Sequence, residues 1–262
     1  MIINNTGFSS VKIFCESKTA DISIHNARKI WSLETPIVLS NDNQIKMTCS
    51  VESCSIPLSY YLINQSNNKL KLNDSIYTID EGNYSAISII EQLNEIQLDI
   101  VFSFSRTLSK FKLSTTQVVV IDLVENNIYD LLGIEPTTLR IGSHVCPHIC
   151  NLIYTTGIYI SLNNISNTNI DTATSNQSSN VLIRLPIDQP TNTYLQFFNN
   201  LGFKSIISTT VLNQIDISLL DDKRDYLELT SNVPWTVVLR IDFERTIVET
   251  SRKTKIEELR SL

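Results

Sequence analysis

Apolar and polar residues alternate with a period of two over much of this chain, and that alternation limits its fold more than any other feature. The period is clear in Leu98–Ser105, stops at the polar turn Arg106–Ser109 and resumes at Phe111 and Leu113. Successive side chains of a strand point to opposite faces, so this period is typical of strands with one buried face. The segment therefore predicts a β-hairpin.

The same period recurs through the second half of the chain, where it predicts a series of strands. These lie around Ile158–Leu162, Val181–Leu185, Leu212–Leu219, Leu227–Leu229 and Val237–Phe243. Segments with helical spacing are few, so we predict an all-β fold, built either as one β-sandwich or as two β modules.

One short helix is predicted near 85–96. Apolar residues between Ala86 and Leu93 recur with helical spacing, and Asn83 or Ser85 can cap the first turn. An edge loop is the alternative for this segment. A single helical turn is also predicted at Tyr129–Gly133, where Gly133 would end it.

A change of pattern near Glu135–Gly142 suggests a division of the chain, because Pro136 interrupts the preceding strands. The predicted parts are an N-terminal arm with the first strands at 1–45, a first β module with the helix at 46–135, a second β module at 136–245 and a charged tail at 246–262. The polar segment Asn163–Asn180 is predicted to be an exposed loop.

Composition excludes several classes of protein. The net charge is −6 and no basic block occurs before the tail, so the main body is not expected to bind nucleic acid. The longest apolar runs, such as Gln117–Leu123, are too short to cross a bilayer. The N-terminus lacks the pattern of a secretory signal, which predicts synthesis inside the cell. The five cysteines are an odd set and are expected to be free thiols.

The best candidates for a metal site are His144, Cys146, His148 and Cys150. On an extended strand these side chains would project to one face, and Pro147 could supply the bend that brings them together. Structural zinc sites usually join two separate ligand clusters, and a second cluster is not evident. We therefore predict no metal and no cofactor, and interpret the segment as a strand with a thiol-lined buried face.

Catalytic patterns are weak, and we predict that the chain is not an enzyme. A cysteine nucleophile would need a neighbouring base, which three histidines in the sequence cannot establish. Paired carboxylates for hydrolysis could come from a set of aspartates in the last third of the chain: Asp216, Asp221, Asp222, Asp225 and Asp242. The run Asp221–Asp225 is more simply a solvated turn. Most aromatic residues are expected to pack in the core.

Several segments, in a fixed order, carry a resemblance to known proteins. The first group is Ser55-Ile56-Pro57-Leu58-Ser59-Tyr60-Tyr61, then Asp80-Glu81-Gly82-Asn83-Tyr84-Ser85, then Leu131-Leu132-Gly133-Ile134. Weaker similarity continues through Asn180–Phe243. In these segments the chain resembles the small jelly-roll capsid proteins, penton or minor capsid, of virophages and of Polinton-like or related large DNA viruses.

The resemblance implies a jelly-roll β-sandwich and a structural role in an icosahedral capsid. A major capsid protein with two jelly rolls would need a longer chain, so a penton (vertex) or other minor capsid protein is expected. The implied partners are copies of the chain itself, with a pentamer favoured, and a major capsid protein. The implied location is the virion, after synthesis in the host cytoplasm or a viral factory.

Two alternatives remain open at this point. One is a jelly-roll attachment module of a virus particle that binds a glycan. The other is a jelly-roll enzyme that uses His144 and His148 with a metal ion.

Overall fold

The chain folds into two compact units, one of which is inserted into the other. A computed structural model of the chain describes residues 10–38, 45–96, 99–163, 180–207, 211–230 and 233–245. Met1–Leu58 and Gly157–Leu262 form the first unit, here called the split unit, and Ser59–Thr156 form the inserted unit. No helix in the described ranges is long and apolar enough to cross a membrane.

The described elements are mostly strands. Before the inserted unit lie β1 (Ser10–Glu16), β2 (Ile22–His25), β3 (Arg28–Val38) and β4 (Ile45–Pro57). The inserted unit contains β5 (Lys69–Leu72), β6 (Ser75–Thr78), α1 (Ala86–Glu95), β7 (Ile100–Ser105), β8 (Lys110–Thr115), β9 (Val119–Ile121), α2 (Tyr129–Leu132), β10 (Thr137–Leu139) and β11 (Gly142–Val145). After it come β12 (Gly157–Leu162), β13 (Val181–Pro186), β14 (Tyr194–Phe198), β15 (Ser205–Ile207), β16 (Val211–Leu220) and β17 (Thr236–Arg245).

The split unit contains two antiparallel sheets. Sheet I has the order β1-β17-β4-β14, and β15 also pairs with β4. Sheet II has the order β13-β12-β16-β3-β2. Since β14 and β15 pair with successive stretches of β4, they act as one edge strand that is interrupted between residues 198 and 205.

The strand pairing of the split unit is that of a jelly roll. Leaving out the short β2 and β15, eight strands remain, and they pair first with last: β1 with β17, β3 with β16, β4 with β14 and β12 with β13. Eight strands that fold back in this order form the two interlocked Greek keys of a jelly roll. The fold predicted from the sequence is confirmed, and the inserted unit occupies the connection between β4 and β12.

Period-two alternation explains the core of the split unit. In β17 the inward residues Val237, Leu239 and Ile241 are fully buried, and the neighbouring β1 and β4 contribute their own inward rows. From sheet II, Trp31 reaches the ring of Trp235, with the two ring centroids 5.8 Å apart in an edge-to-face arrangement. Such pairs stabilise by about 1 kcal/mol beyond area burial.

The inserted unit has its own core. Sheet III has the order β10-β9-β5-β6 and sheet IV the order β11-β8-β7. Side chains of both sheets, among them Leu70, Phe102 and Phe111, share one buried cluster with Ile89 and Leu93 of α1. The predicted hairpin is confirmed, because β7 and β8 pair antiparallel from Ile100 to Ser105.

The predicted helix is also confirmed, and its first turn has the predicted cap. The Ser85 hydroxyl accepts a hydrogen bond from the Ser88 backbone N–H, and the Ser88 hydroxyl accepts one from the Ser85 backbone N–H. This reciprocal arrangement satisfies two otherwise unpaired donors. At the other end Asn94 donates to the Phe102 carbonyl and accepts from its N–H, which fixes α1 to β7.

Two features differ from the sequence-based expectations. Leu227 and Leu229 are buried as expected, but they form no continuous strand and lie in a segment with isolated bridges at Tyr226 and Leu229. The two units also have other bounds than the segments 46–135 and 136–245, because the chain enters the inserted unit after Leu58 and leaves it at Thr156. Most of the polar segment Asn163–Asn180 and the charged tail 246–262 lie outside the described residues.

Candidate functional site

The four candidate metal ligands lie in the inserted unit, at and beyond the end of β11. His144 pairs with Leu113 of β8, and the Cys146 N–H donates to the Phe111 carbonyl, so strand-like pairing continues to Cys146. The chain then bends at Pro147, and the segment is not one extended strand as the sequence suggested.

The two imidazoles of this segment have different partners. The His148 imidazole Nε2 lies 2.6 Å from Glu135 Oε1, and both side chains are exposed. His144 Nε2 instead contacts the Arg140 carbonyl at 2.6 Å. Within the described ranges no group of three or more His, Cys, Asp or Glu side chains is arranged to hold a metal ion. The four candidates are therefore near one another in sequence without converging.

Gly133 explains part of this arrangement. It ends α2 with φ +68°, a left-handed conformation that side chains other than glycine rarely adopt. A Cβ atom at Gly133 would lie 2.5 Å from the His148 carbonyl oxygen, and the His148 N–H donates to the Gly133 carbonyl. Gly133 therefore ends the predicted helix and also allows residues 146–150 to pack closely against it.

The thiols of this segment are suited to packing rather than to reaction. Burial raises the pKa of Cys146 to about 11 and also raises the pKa of Cys150. The thiolate is the form that attacks electrophiles and binds metals, so both groups are in the inactive protonated form at neutral pH. All five cysteines are free, and burial raises the pKa of Cys15, Cys49 and Cys54 to about 12.

A cavity of about 300 Å³ opens beside the same segment. Its lining includes the apolar Leu113, Ile121 and Leu139, the hydroxyls of Thr137 and Thr138 and the Cys146 thiol, while His144 and Glu135 contribute an imidazole and a carboxylate. Both of those groups already have partners, in the Arg140 carbonyl and in His148. The cavity therefore has a mixed apolar and polar lining, and its imidazole and carboxylate are already engaged.

The aspartates that could have formed a hydrolytic pair are divided between the two sheets of the split unit. Asp216 lies on β16 of sheet II and Asp242 on β17 of sheet I. Each is held by cations: Asp216 by Arg28, and Asp242 by Lys204 and Arg240. Their contacts are those of structural ion pairs.

The turn predicted at Asp221–Asp225 is present, but Asp221 is buried within it. Its carboxylate accepts hydrogen bonds from the backbone N–H groups of Lys223 and Asp225. Burial raises the pKa of Asp221, although these two hydrogen bonds oppose the shift. An aspartate at the start of a turn commonly bonds its own backbone in this way.

Polar contacts cover the outer face of sheet II. The Arg28 guanidinium binds both carboxylate oxygens of Asp216, through Nε at 3.1 Å and Nη2 at 2.8 Å, and donates to the Tyr226 hydroxyl at 2.9 Å. The Arg224 guanidinium lies over the Tyr159 ring, 3.5 Å from its centroid. Arg224 and Tyr226 belong to the segment that follows β16, so the chain folds back over its own sheet.

The outer face of sheet I is different, because it carries exposed aromatic residues. The register aligns Phe14, Val238, Ser53 and Phe198 in one row across four neighbouring strands. Phe14 is 76% exposed and Phe198 is 64% exposed. Between β14 and β15, where the edge strand is interrupted, Leu201 and Phe203 are 81% and 57% exposed. We call these four apolar side chains (Phe14, Phe198, Leu201 and Phe203) the sheet I patch.

Sequence reasoning missed the sheet I patch, although a signal for it was present. In Ile13-Phe14-Cys15 and in Phe197-Phe198, consecutive residues are apolar, so apolar side chains point to both faces of the strand. A strand of a two-sheet sandwich has only one face toward the core, so one phase of such a run must face outward. Adjacent apolar residues in a predicted strand are therefore the observable that could have indicated this surface.

Comparison with known proteins adds similarity to two solved structures. No protein-family model matches the chain, and no curated protein matches it. The crystal structure of the mavirus penton protein is 13% identical over 90% of this chain and 100% of that chain, with a TM-score of 0.47. A chain in the cryo-electron microscopy structure of the Sputnik virophage is 13% identical over 94% of this chain and 100% of that chain, with a TM-score of 0.43.

Proposed function

We propose that this protein is a structural component of an icosahedral viral capsid, most specifically a penton or other minor capsid protein. The observation that carries the proposal is the first-with-last pairing of eight strands in the split unit. Jelly rolls of this kind form the walls of many viral capsids, although the same fold also occurs in lectins and cupins. The fold alone therefore supports the proposal but does not distinguish a capsid protein from a lectin or a cupin.

The described surfaces favour assembly over catalysis. The imidazole and carboxylate of the inserted unit's cavity are engaged, Asp216 and Asp242 form ion pairs, and the Asp221 carboxylate binds its own turn. By contrast, sheet I presents large apolar side chains to solvent. A protein whose function is to bury surface between copies needs such side chains, and a monomeric enzyme does not.

The number of jelly rolls supports a minor position in the shell. The described residues contain one eight-stranded jelly roll, and the second unit is an insertion with two smaller sheets. A capsid component with a single jelly roll fits the proposed vertex role, in which five copies related by rotation close a ring. The expected partners are further copies of this chain and a major capsid protein.

Presence in particles tests the capsid role directly. Particles purified from infected cells should contain this chain, and immunogold labelling with an antibody against it should decorate vertices. Light scattering and negative-stain imaging of the isolated protein test the stoichiometry, with closed rings of five expected. A chain that is absent from purified particles would contradict the proposal.

A further inference from the structure

The sheet I patch is comparable in area to the largest apolar patch of a typical monomer. With about 200 Å² for a fully exposed aromatic side chain, its three rings and Leu201 expose on the order of 500 Å². Neighbouring strands are about 4.8 Å apart, so the row from Phe14 to Phe198 spans about 14 Å. The largest apolar patch of a typical monomer covers roughly 300–600 Å² and is often functional. Each side of a standard protein interface buries about 800 Å².

The part of the patch between β14 and β15 is held in a defined conformation. The Asn199 side chain donates to the Phe203 carbonyl and accepts from the Phe203 N–H, both at 2.9 Å. The Asn199 backbone N–H donates to the Glu52 carbonyl of β4. Gly202 permits the tight path with φ +69°. A preorganised segment loses little conformational entropy on docking, which favours binding.

Charges beside the patch have partners within the same chain. Lys12 and Glu52 form an ion pair at 2.7 Å, and Asp242 is paired with Lys204 at 2.8 Å and Arg240 at 2.7 Å. A buried charge without a partner strongly opposes association. These pairs allow the outer face of sheet I to be covered without leaving an uncompensated charge.

A second exposed apolar site lies on the other sheet of the split unit. The edge strand β2 carries Ile22 and Ile24, which are 50% and 52% exposed. The register pairs Ile22 with Ile30 of β3, so this site belongs to sheet II. Two different sites on one copy suit a head-to-tail contact, in which each copy uses one site toward each neighbour, and such contacts form a closed ring when the rotation between copies closes.

We propose that the sheet I patch is the docking surface for a second copy of this chain, and that it contacts the β2 edge of that copy. The inference rests on the proposed function, since a capsid component must associate with its own copies. It goes further by assigning the two contacting surfaces and the head-to-tail geometry.

Cross-linking of the unmodified protein tests the two surfaces. Equal amounts of ¹⁴N-labelled and ¹⁵N-labelled protein are mixed, cross-linked at lysines and digested, so that hybrid isotope pairs identify contacts between copies. Lys12 and Lys204 lie beside the patch, and Lys18 lies near β2. Hybrid pairs that join Lys12 or Lys204 to Lys18 are expected. Hybrid pairs that join only patch lysines to each other would overturn the head-to-tail geometry.

Substitution tests the patch itself. The double variant Phe198→Ser with Leu201→Ser should reduce the mass measured by light scattering to that of one chain, under conditions in which the wild-type protein forms an oligomer. Val101→Ser is the matched control, because Val101 is also well exposed but lies in the inserted unit. Circular dichroism and thermal unfolding at low concentration confirm that each variant folds.

The outcomes separate this inference from the capsid proposal. A folded double variant that keeps the wild-type mass, or a wild-type protein that stays monomeric at every concentration, would refute the docking surface. Neither result would refute the capsid role if the chain is found in purified particles. Absence from particles would contradict that role whatever the cross-links show.

Discussion

The outer faces of sheets I and II belong to the same jelly roll, yet among the described residues only the outer face of sheet II is covered by other parts of the chain. On sheet II, Tyr226 contacts Arg28 and Arg224 lies over Tyr159. The Asn163 side chain donates to Asp216 and to Ser218, which is 1% exposed. On sheet I, Phe14 and Phe198 remain in solvent. A sandwich buries one face of each sheet in its core, so the other face must be solvated or covered. The difference shows where this chain leaves surface for contact with a second molecule.

The largest expected effect on stability comes from breaking the ion pair between Arg28 and Asp216 on the outer face of sheet II. Arg28→Ala removes the cation from the part-buried Asp216 and should lower the free energy of unfolding by about 3 kcal/mol. Urea unfolding measures the change. Lys12→Ala is the control on sheet I, where the Lys12–Glu52 pair is more exposed and its loss should cost less than about 1 kcal/mol. Equal losses of unfolding free energy in both variants would contradict the expected difference between the two sheets.

Asp242→Asn tests a charge that two cations hold on the outer face of sheet I. Burial raises the pKa of Asp242, but its pairs with Lys204 and Arg240 lower it more, so the net pKa lies below the ordinary 3.8. The substitution should cost about 1–2 kcal/mol at neutral pH.

The pH dependence of that cost follows from the sign of the shift. A carboxyl with a lowered folded-state pKa stabilises the protein above its unfolded-state pKa, and this contribution is lost as pH falls through the folded value. The difference between wild type and Asp242→Asn should therefore be constant near pH 6–7 and shrink below about pH 4. Urea unfolding across this range is the measurement, and a difference that grows on acidification would contradict it.

A smaller effect is expected from the stacked pair on sheet II. Arg224→Ala should destabilise the protein by about 1 kcal/mol through loss of the cation–π contact with Tyr159. A double-mutant cycle with Tyr159→Leu isolates the pair from other contacts of either residue. A coupling energy near zero would show that the stacking geometry contributes no stability.

The smallest effect on stability should come from the sheet I patch itself. Phe14→Ser should change the unfolding free energy of the monomer by less than about 0.5 kcal/mol, because the ring is already in solvent. Leu239→Ala, on the inward face of the adjacent strand, is the contrast and should cost about 3 kcal/mol. Chemical unfolding at a concentration that excludes association provides both values. A large loss in Phe14→Ser would mean that the ring packs against its own chain.

Much of the local structure could be predicted from the sequence. The hairpin β7–β8, the helix α1 with its Ser85 cap and the stop at Gly133 all depend on residues close in the chain. Leu227 and Leu229 show the limit of the same reasoning. Their spacing indicates a strand, but spacing records burial. The segment forms short pairings, such as the bridge of Tyr226 with Leu220 and the hydrogen bond from the Leu227 N–H to the Leu219 carbonyl, and no continuous strand.

The candidate site was harder to predict. Alternation correctly placed His144 and Cys146 in one strand-like stretch, but the bend at Pro147 and the contact of His148 with Glu135 depend on how α2 packs nearby. The assignment of no metal site stays a prediction. In the sequence, the sheet I patch is indicated only by adjacent apolar residues. The sequence of a single strand does not show which of its two faces points to solvent.

By itself the sequence determined the all-β class, the position of the helices and most strand segments, because side-chain period and capping are properties of neighbouring residues. Only the tertiary structure decided that β1 pairs with β17 across the whole chain, that Ser59–Thr156 is an insertion and that Phe14 faces solvent. Strand pairing joins residues far apart in sequence, and each edge offers the same backbone hydrogen bonds to any partner. The choice among partners is therefore made by the burial of whole sheet faces, which no single segment encodes.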